Sequence, residues 1–245
     1  MKRRKKRKGQ KFKVTTIVLL LLYLIYNLYQ SEINNFIFSF AYPSYDIVEV
    51  PKFDGEYFVY INNNNPNFNE EDKTTNSFER YSELDILGRA GVAYANIGVD
   101  LMPKDARESI GMVKPSGWHL VKYDIVDGKY LYNRCHLIGF QLTGENANPK
   151  NLITCTRHMN AVTMLQYENK VAEYIKKTHN HVLYRVTPIY DEGNLLSKGV
   201  QMEALSVEDN GRGIKFNIFV YNVQDGIEID YTNGESKLIE KWVYF

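Results

Sequence analysis

The chain has 245 residues, of which 44% are apolar and 24% are charged. This length is sufficient for one well-buried domain with additional segments. Its 30 Lys and Arg residues nearly balance 29 Asp and Glu residues, but nine of the basic residues lie within residues 1–13. The rest of the chain carries 21 basic and 29 acidic residues. This balance excludes a protein that binds polyanions through its overall charge alone.

The N-terminal segment has the pattern of a membrane anchor. Residues 1–13 contain no acidic residue, and residues 14–29 are almost wholly apolar and uncharged. This run of 16 residues is slightly short for a span of roughly 17 to 25 residues, and extension to residue 31 covers the difference. We predict a basic cytoplasmic tail at 1–13, a transmembrane signal anchor at 14–31 and an extracellular stalk at 32–45, because basic residues remain on the cytoplasmic side. The alternative is a cleaved signal peptide and a secreted protein.

Residues 46–245 form one predicted domain that contains both strands and a helix. Met164, Tyr167 and Val171 recur at helical spacing, which predicts a helix over 164–177. β-Branched and aromatic residues predict strands in five further segments. These segments are 57–61, 91–98, 181–190, 199–207 and 214–223.

A tight turn is predicted at Asp127-Gly128, between apolar runs at 118–125 and 129–138. An Asp-Gly pair between such runs is a strong signal for a β-hairpin. The second arm of this hairpin would place His136 near its end.

Charge is distributed unevenly along the domain. Residues 104–185 contain 12 basic and 7 acidic residues, whereas residues 46–85 contain 3 basic and 10 acidic residues. A basic segment between acidic flanks is either ordinary solvated surface or a surface that binds an anion, and its coincidence with the motifs below favours the second interpretation.

Three short motifs lie within the basic segment. Residues 133–136 read Asn-Arg-Cys-His, residues 151–154 read Asn-Leu-Ile-Thr, and residues 157–160 read Arg-His-Met-Asn. They combine a histidine on a predicted strand, an arginine two residues before it and an amide near the start of a predicted helix. Metal-dependent hydrolysis of a phosphodiester needs such groups: a base, a phosphate clamp and a metal ligand.

With these motifs the chain resembles the DNA/RNA non-specific endonucleases, in particular the membrane-attached DNA-entry nucleases and secreted DNases of streptococci. The corresponding family motifs are [Asp/Asn]-Arg-[Gly/Ser]-His, Asn-Leu-[Ile/Met/Phe]-Thr and Arg-x-x-Asn. The likeness covers most of the chain after the stalk. It includes the segments 61–68, 84–89, 115–118, 222–224 and 229–231.

The resemblance implies an α+β fold with a ββα-metal (His-Me finger) core and a central antiparallel sheet. In that core a hairpin carries the base and a helix carries the metal ligand. His136 is then the general base, since histidine titrates near pH 6.5. A structural histidine at a strand end is the alternative interpretation.

Asn160 is implied as the ligand of Mg²⁺, with Mn²⁺ as a substitute. A neutral amide oxygen suits an ion that keeps most of its waters. The alternative role for Asn160 is to cap the helix that follows.

Further residues receive roles from the same resemblance. Asn151 is expected to support the metal-binding helix, Glu168 to belong to the polar network of the site, and Arg134 to orient or stabilise phosphate through its planar guanidinium. Other basic side chains are candidates for substrate binding: Arg89, Lys150 and Arg157. No histidine pair has the context of a zinc site, so a zinc centre is disfavoured.

Cys135 and Cys155 depart from the family pattern, since relatives have Gly or Ser at the first position and commonly Gly at the second. An oxidising compartment outside the membrane favours a disulfide between them. Two buried, unpaired thiols are the open alternative.

The resulting functional hypothesis is a membrane-anchored, extracytoplasmic, Mg²⁺-dependent endonuclease that acts on DNA, with RNA as a second substrate. A catalytically weak surface protein for DNA binding or uptake is the alternative from another class. A structural surface protein with coincidental motifs is a third. The presence of Arg134, His136 and Asn160 favours the enzyme, whereas the sequence indicates neither the oligomeric state nor the biological role.

Overall fold

The computed structural model describes residues 15–30 and 44–239, which belong to two compact units, 1–43 and 44–245. The first unit contains helix α1 at residues 15–30, whose side chains are exposed along nearly its whole length. Within the described residues, no helix combines the length and apolar character that a membrane span requires. The predicted basic tail and most of the predicted stalk lie outside the described residues.

The second unit consists mainly of strands. In chain order they are β1 (Ser44–Tyr45), β2 (Phe58–Ile61), β3 (Phe78–Tyr81), β4 (Ala93–Ile97), β5 (Tyr132–His136), β6 (Leu152–Thr156), β7 (Val182–Ile189), β8 (Gly199–Ser206), β9 (Lys215–Tyr221), β10 (Ile227–Ile229) and β11 (Ser236–Leu238). The helices that follow β5 and β6 are a short α2 (Phe140–Thr143) and a long α3 (Leu165–Thr178).

Seven of these strands form the central sheet, in the order β1-β2-β9-β8-β7-β4-β3. Neighbours are antiparallel except for the short parallel pair β1–β2. The central antiparallel sheet expected from the resemblance is therefore confirmed. The five predicted strands correspond to β2, β4, β7, β8 and β9.

The two faces of the central sheet differ in polarity. Tyr184 and Met202 belong to one cluster of buried residues, together with Val171 and Ile175 of α3. Strand side chains alternate between faces, so neighbouring positions point away from this core. There Arg185 lies opposite Glu203 in the register and forms an ion pair with it.

A second, two-stranded sheet carries the motif residues. Strand β5 pairs antiparallel with β6, with Tyr132 opposite Thr156 and His136 opposite Leu152. A π-helical turn at Met159–Met164 then leads directly into α3. These two strands and the helix form the expected ββα unit.

The predicted hairpin at Asp127-Gly128 is confirmed close to its turn, whereas the later part of its second arm pairs with a different strand. Lys129 N donates to Val126 O at 2.8 Å, and both Gly128 and Lys129 have φ +68°. Beyond the turn, Tyr123 N donates to Lys129 O at 2.9 Å and Leu131 N donates to Val121 O at 3.1 Å, on either side of a bridge between Lys122 and Tyr130. From Tyr132 onward the second arm is β5, whose partner is β6, and apolar side chains of both arms pack into a small separate cluster. That cluster contains Trp118, Val121, Tyr123, Leu131, Tyr132, Leu196 and Ile227.

A disulfide joins Cys135 to Cys155, with 5.9 Å between their Cα atoms. In the register Cys155 lies opposite Asn133, so the two cysteines are diagonal neighbours across the β5–β6 pair. Both side chains are fully buried in the main core cluster. The disulfide therefore ties the strand of His136 to the strand that leads into the π-helical turn.

We predict that reduction of this disulfide lowers stability. The bond spans 20 residues in sequence, and loop closure of that size contributes about 3 kcal/mol to the free energy of unfolding. Reductant should lower the Tm of the purified protein by several degrees, measured by circular dichroism. The Cys135→Ala/Cys155→Ala double variant should show the lower Tm with and without reductant. Two alkylatable thiols in the oxidised protein would contradict the prediction.

Candidate active site

A cavity of about 600 Å³ opens beside the ββα unit. We call it the groove. It is lined by the basic and amide side chains Arg107, Asn133, Arg134, Arg157 and Asn160, together with Ile110, Trp118, Leu120, Asp127, Gly128, Tyr130 and Tyr132.

His136 ends strand β5 and is only 6% exposed. Its Nε2 lies 2.7 Å from the main-chain carbonyl oxygen of Asn146. A carbonyl can only accept a hydrogen bond, so Nε2 carries the proton and Nδ1 is the unprotonated nitrogen of the neutral ring. That Nδ1 lies 3.3 Å from Nη2 of Arg107, a donor at the wall of the groove.

Burial lowers the pKa of His136 from its usual 6.5 to about 4. The hydrogen bond to the Asn146 carbonyl opposes this change, whereas the positive charge of Arg107 adds to it. At neutral pH the ring is therefore neutral and able to accept a proton at Nδ1.

Asn160 lies in the π-helical turn and lines the groove. Its Nδ2 donates to Oδ1 of Asn133 at 3.1 Å, which fixes the orientation of the amide. The Oδ1 atom of Asn160 is thus the group of this side chain that remains for a ligand. Single π-helical turns within helices frequently occur at functional sites.

The donors available in the groove suit a hydrated divalent cation. Among the described residues, no group of three or more His, Cys, Asp or Glu side chains could enclose a metal ion. Mg²⁺ binds hard oxygen ligands and usually retains several waters, so one amide oxygen beside an open cavity fits it. Three of the four remaining histidines have separate partners: His119 with Asn233 O, His158 with the Tyr57 ring and His181 with Glu208. The fourth, His179, forms the C-cap of α3.

Asn151 is fully buried at the turn that precedes β6. Its Oδ1 accepts from Ile138 N and its Nδ2 donates to Ile138 O, both at 2.9 Å. Its own carbonyl accepts from Leu137 N at 2.9 Å. Asn151 thereby holds the two residues that follow His136, and it acts on the site by positioning the base.

Glu168 lies in the first turn of α3 and is buried. A Cβ added at Gly139 would meet its Oε2 atom at 2.5 Å, so the carboxylate packs directly on this glycine. Burial raises the pKa of Glu168 to about 7, while Gln141 and the positive charge of Arg107 oppose the change. Arg107 therefore acts electrostatically on both buried titratable groups of the site.

Arg134 is held by carbonyl groups of the loop that precedes the turn. Its Nη2 donates to Gly111 O at 2.9 Å, its Nε donates to Val113 O, and its guanidinium lies 4.0 Å from the centre of the Trp118 ring. Because these acceptors are neutral, they do not offset the positive charge of the guanidinium at the wall of the groove. Arg157, on the same lining, pairs with Asp127 at 3.0 Å.

Two expected substrate-binding residues do not reach the groove. Arg89 pairs with Asp85 at 2.7 Å and donates to Asn194 O at 2.9 Å. Lys150 forms an ion pair with Glu83. Neither Arg89 nor Lys150 lines the groove.

The structure adds three residues to which the sequence assigned no role: Arg107, Asn133 and Asn146. Asn133 is the first residue of the Asn-Arg-Cys-His motif, so its position was a signal that could have been used. Arg107 lies in a segment without regular secondary structure, and Asn146 acts through its carbonyl. Neither has a recognisable sequence pattern.

Comparison with known proteins identifies the family. The model of the DNA/RNA non-specific endonuclease family matches residues 68–208, a range that contains the whole lining of the groove. The chain belongs to this family. It is a DNA/RNA endonuclease, and the motif likeness seen in the sequence is confirmed.

Two solved structures show how far the likeness extends. NucA from Streptococcus agalactiae with magnesium ion bound is 26% identical, with a TM-score of 0.64 over 73% of this chain and 85% of that one. Sda1 nuclease with bound zinc ion is 31% identical, with a TM-score of 0.56 over 67% of this chain and 81% of that one. Each of these nucleases thus matches the greater part of the endonuclease described here.

We predict opposite effects of His136 and Glu168 on stability between pH 7 and pH 4.5. The pKa of His136 is lowered in the folded state, so its contribution is present above pH 6.5 and is lost as pH falls towards 4. The pKa of Glu168 is raised, so its contribution is present below pH 4.5 and is lost as pH rises through 7.

Replacing one of these two residues should therefore reveal the pH dependence that the other gives to the free energy of unfolding. Glu168→Gln should make the free energy of unfolding fall more steeply on acidification than in the unmodified protein, by up to about 3 kcal/mol across the window. His136→Asn should instead make the free energy of unfolding rise as the pH falls from 7 to 4.5. Urea unfolding at several pH values measures both slopes, and identical slopes in all three proteins would refute these pKa shifts.

Proposed function

We propose that this endonuclease is Mg²⁺-dependent, is anchored in the cell membrane with its catalytic domain outside, and cleaves DNA and RNA with His136 as general base. The observation that carries the proposal is the state of the His136 ring. Its Nε2 proton is held by the Asn146 carbonyl, so the lone pair of Nδ1 is directed at Arg107, which lines the groove. A neutral, oriented imidazole beside arginine and amide groups suits hydrolysis of an anionic ester.

In the proposed reaction, a water that enters the groove transfers a proton to Nδ1 of His136 as its oxygen bonds to phosphorus. The P–O bond to the leaving sugar oxygen breaks, and that oxygen takes up a proton from a second water. The resulting imidazolium is stabilised by the hydrogen bond from Nε2 to the Asn146 carbonyl. Arg107 must give up its contact with Nδ1, and the incoming phosphate is the group that can attract its guanidinium. Arg134 then adds a second positive charge at the phosphate.

The substrate also makes His136 a stronger base in this scheme. A pKa of about 4 is low for a base, and it arises from burial and from Arg107. A bound phosphodiester brings a negative charge and draws Arg107 towards itself. Both changes raise the pKa of His136 in the complex.

Asn160 would hold the metal ion through Oδ1, and Asn133 would fix that amide through its hydrogen bond to Nδ2. When bound, a divalent cation stabilises the negative charge that develops on the phosphate oxygens. The bound magnesium ion in the NucA structure supports the choice of Mg²⁺, whereas Sda1 was solved with zinc.

Membrane anchoring rests on the N-terminal sequence. The basic residues before the apolar segment predict a cytoplasmic N-terminus and an extracytoplasmic domain. The disulfide between Cys135 and Cys155 supports the same side of the membrane, because such bonds persist in oxidising compartments. Fractionation of cells that express the full chain, followed by protease treatment of intact cells, tests this placement. A domain recovered in the culture medium would indicate a cleaved, secreted form.

A surface protein for DNA binding or uptake with little catalysis is the alternative function. Loss of the base, the phosphate clamp or the metal-binding amide would favour this alternative. All three groups are present, because His136 lies beside the groove that Arg134 and Asn160 line. A plasmid-nicking assay with and without EDTA separates the two functions. Nicking that EDTA abolishes supports the enzyme.

The base can be tested by chemical rescue. His136→Gly should lower the nicking rate by about 10²–10⁴-fold, the usual contribution of a positioned base. Added imidazole should restore part of that rate, because the deleted ring leaves space for it. Asn146 contacts His136 through its main-chain carbonyl, which Asn146→Ala keeps, so this variant serves as a matched control that should retain most activity. A glycine variant with full activity would remove His136 from the mechanism.

The metal ligand can be tested by titration with Mg²⁺. Asn160→Ala should raise the Mg²⁺ concentration needed for half-maximal activity by more than about 10-fold. Asn133→Ala should raise it by about 10–100-fold, the usual effect of removing a residue that orients a metal ligand. Asn169→Ala, exposed on α3, is the control. An unchanged Mg²⁺ dependence in Asn160→Ala would place the ligand elsewhere.

Arg157 and Lys150 form a matched pair for substrate binding. Arg157→Ala should raise KM and reduce the slope of log affinity against log salt by about one, since one phosphate contact is lost. Lys150→Ala should change neither quantity, because Lys150, unlike Arg157, does not line the groove. Equal effects of the two variants would show that Lys150 also contacts the nucleic acid.

A further inference from the structure

The groove contains apolar surface that the proposed chemistry does not use. Leu120 and Tyr130 belong to the same lining as the arginine and asparagine side chains. Leu120 is 74% exposed and Tyr130 is 42% exposed. An aliphatic and an aromatic side chain beside polar groups offer apolar contacts to a ligand that binds in the groove.

Two rings in this lining carry a cation over one face. The guanidinium of Arg134 lies 4.0 Å from the centre of the Trp118 ring, and Nζ of Lys122 lies 4.5 Å from the centre of the Tyr130 ring. Lys122 and Tyr130 face each other across the isolated bridge. An aromatic ring beside a basic group is the combination that binds single-stranded nucleic acid, since the ring stacks on a base and the cation attracts the backbone.

The spacing suits a nucleotide next to the one being cleaved. Tyr130 precedes Arg134 by four residues, and an extended chain advances about 3.3 Å per residue, so about 13 Å separates their backbones at most. A strand whose phosphate is held at Arg134 can therefore bring a neighbouring base to Tyr130. A duplex offers no such base, because its base faces are stacked inside the helix and unstacking costs a few kcal/mol.

We propose that Tyr130 and Leu120 form a wall that binds an unpaired base, so that the endonuclease prefers single-stranded DNA or RNA to a duplex. This inference rests on the proposed function only in taking the groove as the place where the backbone binds. The wall adds contacts that a paired base cannot make. It therefore sets substrate preference and leaves the hydrolytic step to His136.

The first test measures binding in EDTA, where no cleavage occurs. The probes are a fluorescent single strand of mixed sequence, the same strand with abasic sites, and the corresponding duplex. The unmodified protein should bind the intact strand about 10-fold more tightly than the abasic strand, since stacking on an aromatic ring contributes about 1–3 kcal/mol per base. Leu120→Ser/Tyr130→Ser should bind the intact and abasic strands equally.

Two controls accompany this test. Tyr130→Phe keeps the ring and should behave as the unmodified protein. Ile86→Ser removes a fully exposed apolar side chain outside the groove and should leave the preference unchanged. Both serine substitutions in the wall affect exposed side chains, so the Tm should stay close to that of the unmodified protein.

The second test compares kcat/KM for the single strand and the duplex with Mg²⁺. The ratio should favour the single strand in the unmodified protein and fall by about 10-fold in Leu120→Ser/Tyr130→Ser. Equal affinity of the unmodified protein for intact and abasic strands, or an equal loss on single strand and duplex, would overturn the base-binding wall. A protein that distinguishes abasic strands but cleaves neither substrate would support the wall and overturn the proposed function.

Discussion

The antiparallel pairing of β5 with β6 is the constraint on which the active site depends. It sets His136 opposite Leu152 and Asn133 opposite Cys155, so the strand of the base lies beside the strand that enters the π-helical turn of Asn160. The disulfide fixes this register within the core, and Asn151 fixes it beyond the His136 end through three hydrogen bonds of 2.9 Å. A slip of one residue would turn every side chain of β5 to the other face. It would also separate Asn133 from Asn160.

Burial decides the charge of the site more than ion pairing does. It lowers the pKa of His136 to about 4 and raises the pKa of Glu168 to about 7. Both residues are thereby biased towards their neutral forms, and the positive charge of Arg107 is left without a fully ionised partner at neutral pH. A carboxylate beside His136 would orient the ring but would also raise its pKa. The carbonyl of Asn146 provides the orientation without adding a negative charge to the protein.

Much of this arrangement could be predicted from the sequence, and the failures have physical causes. The five strands and the long helix followed from propensity and periodicity, whereas the family and the central antiparallel sheet followed from the resemblance carried by the motifs. The hairpin at Asp127-Gly128 was predicted correctly near its turn, but the pairing of β5 with β6 was not, because a turn does not specify which strand lies beside the rest of its arm. The contacts of Arg89 with Asp85 and Asn194 could not be predicted from the residue types alone, because the Asn194 carbonyl reaches Arg89 only in the folded chain. Arg107 has no local pattern, and its distance to His136 exists only in the folded chain.

The distribution of ion pairs explains how an acidic domain can act on a polyanion. Carboxylates pair with basic side chains of the basic segment that do not line the groove, including Lys129 with Asp124 and Lys150 with Glu83. Within the groove Asp127 offsets Arg157. Arg134 differs, because the acceptors of its Nε and Nη2 hydrogen bonds are neutral carbonyls. Positive charge is therefore concentrated in the groove and compensated around it. Strong uniform attraction for DNA would bind substrate and transition state alike and would lower KM without raising kcat. A few uncompensated charges at the scissile phosphate place the attraction where negative charge develops during the reaction, and they let the cleaved strands leave.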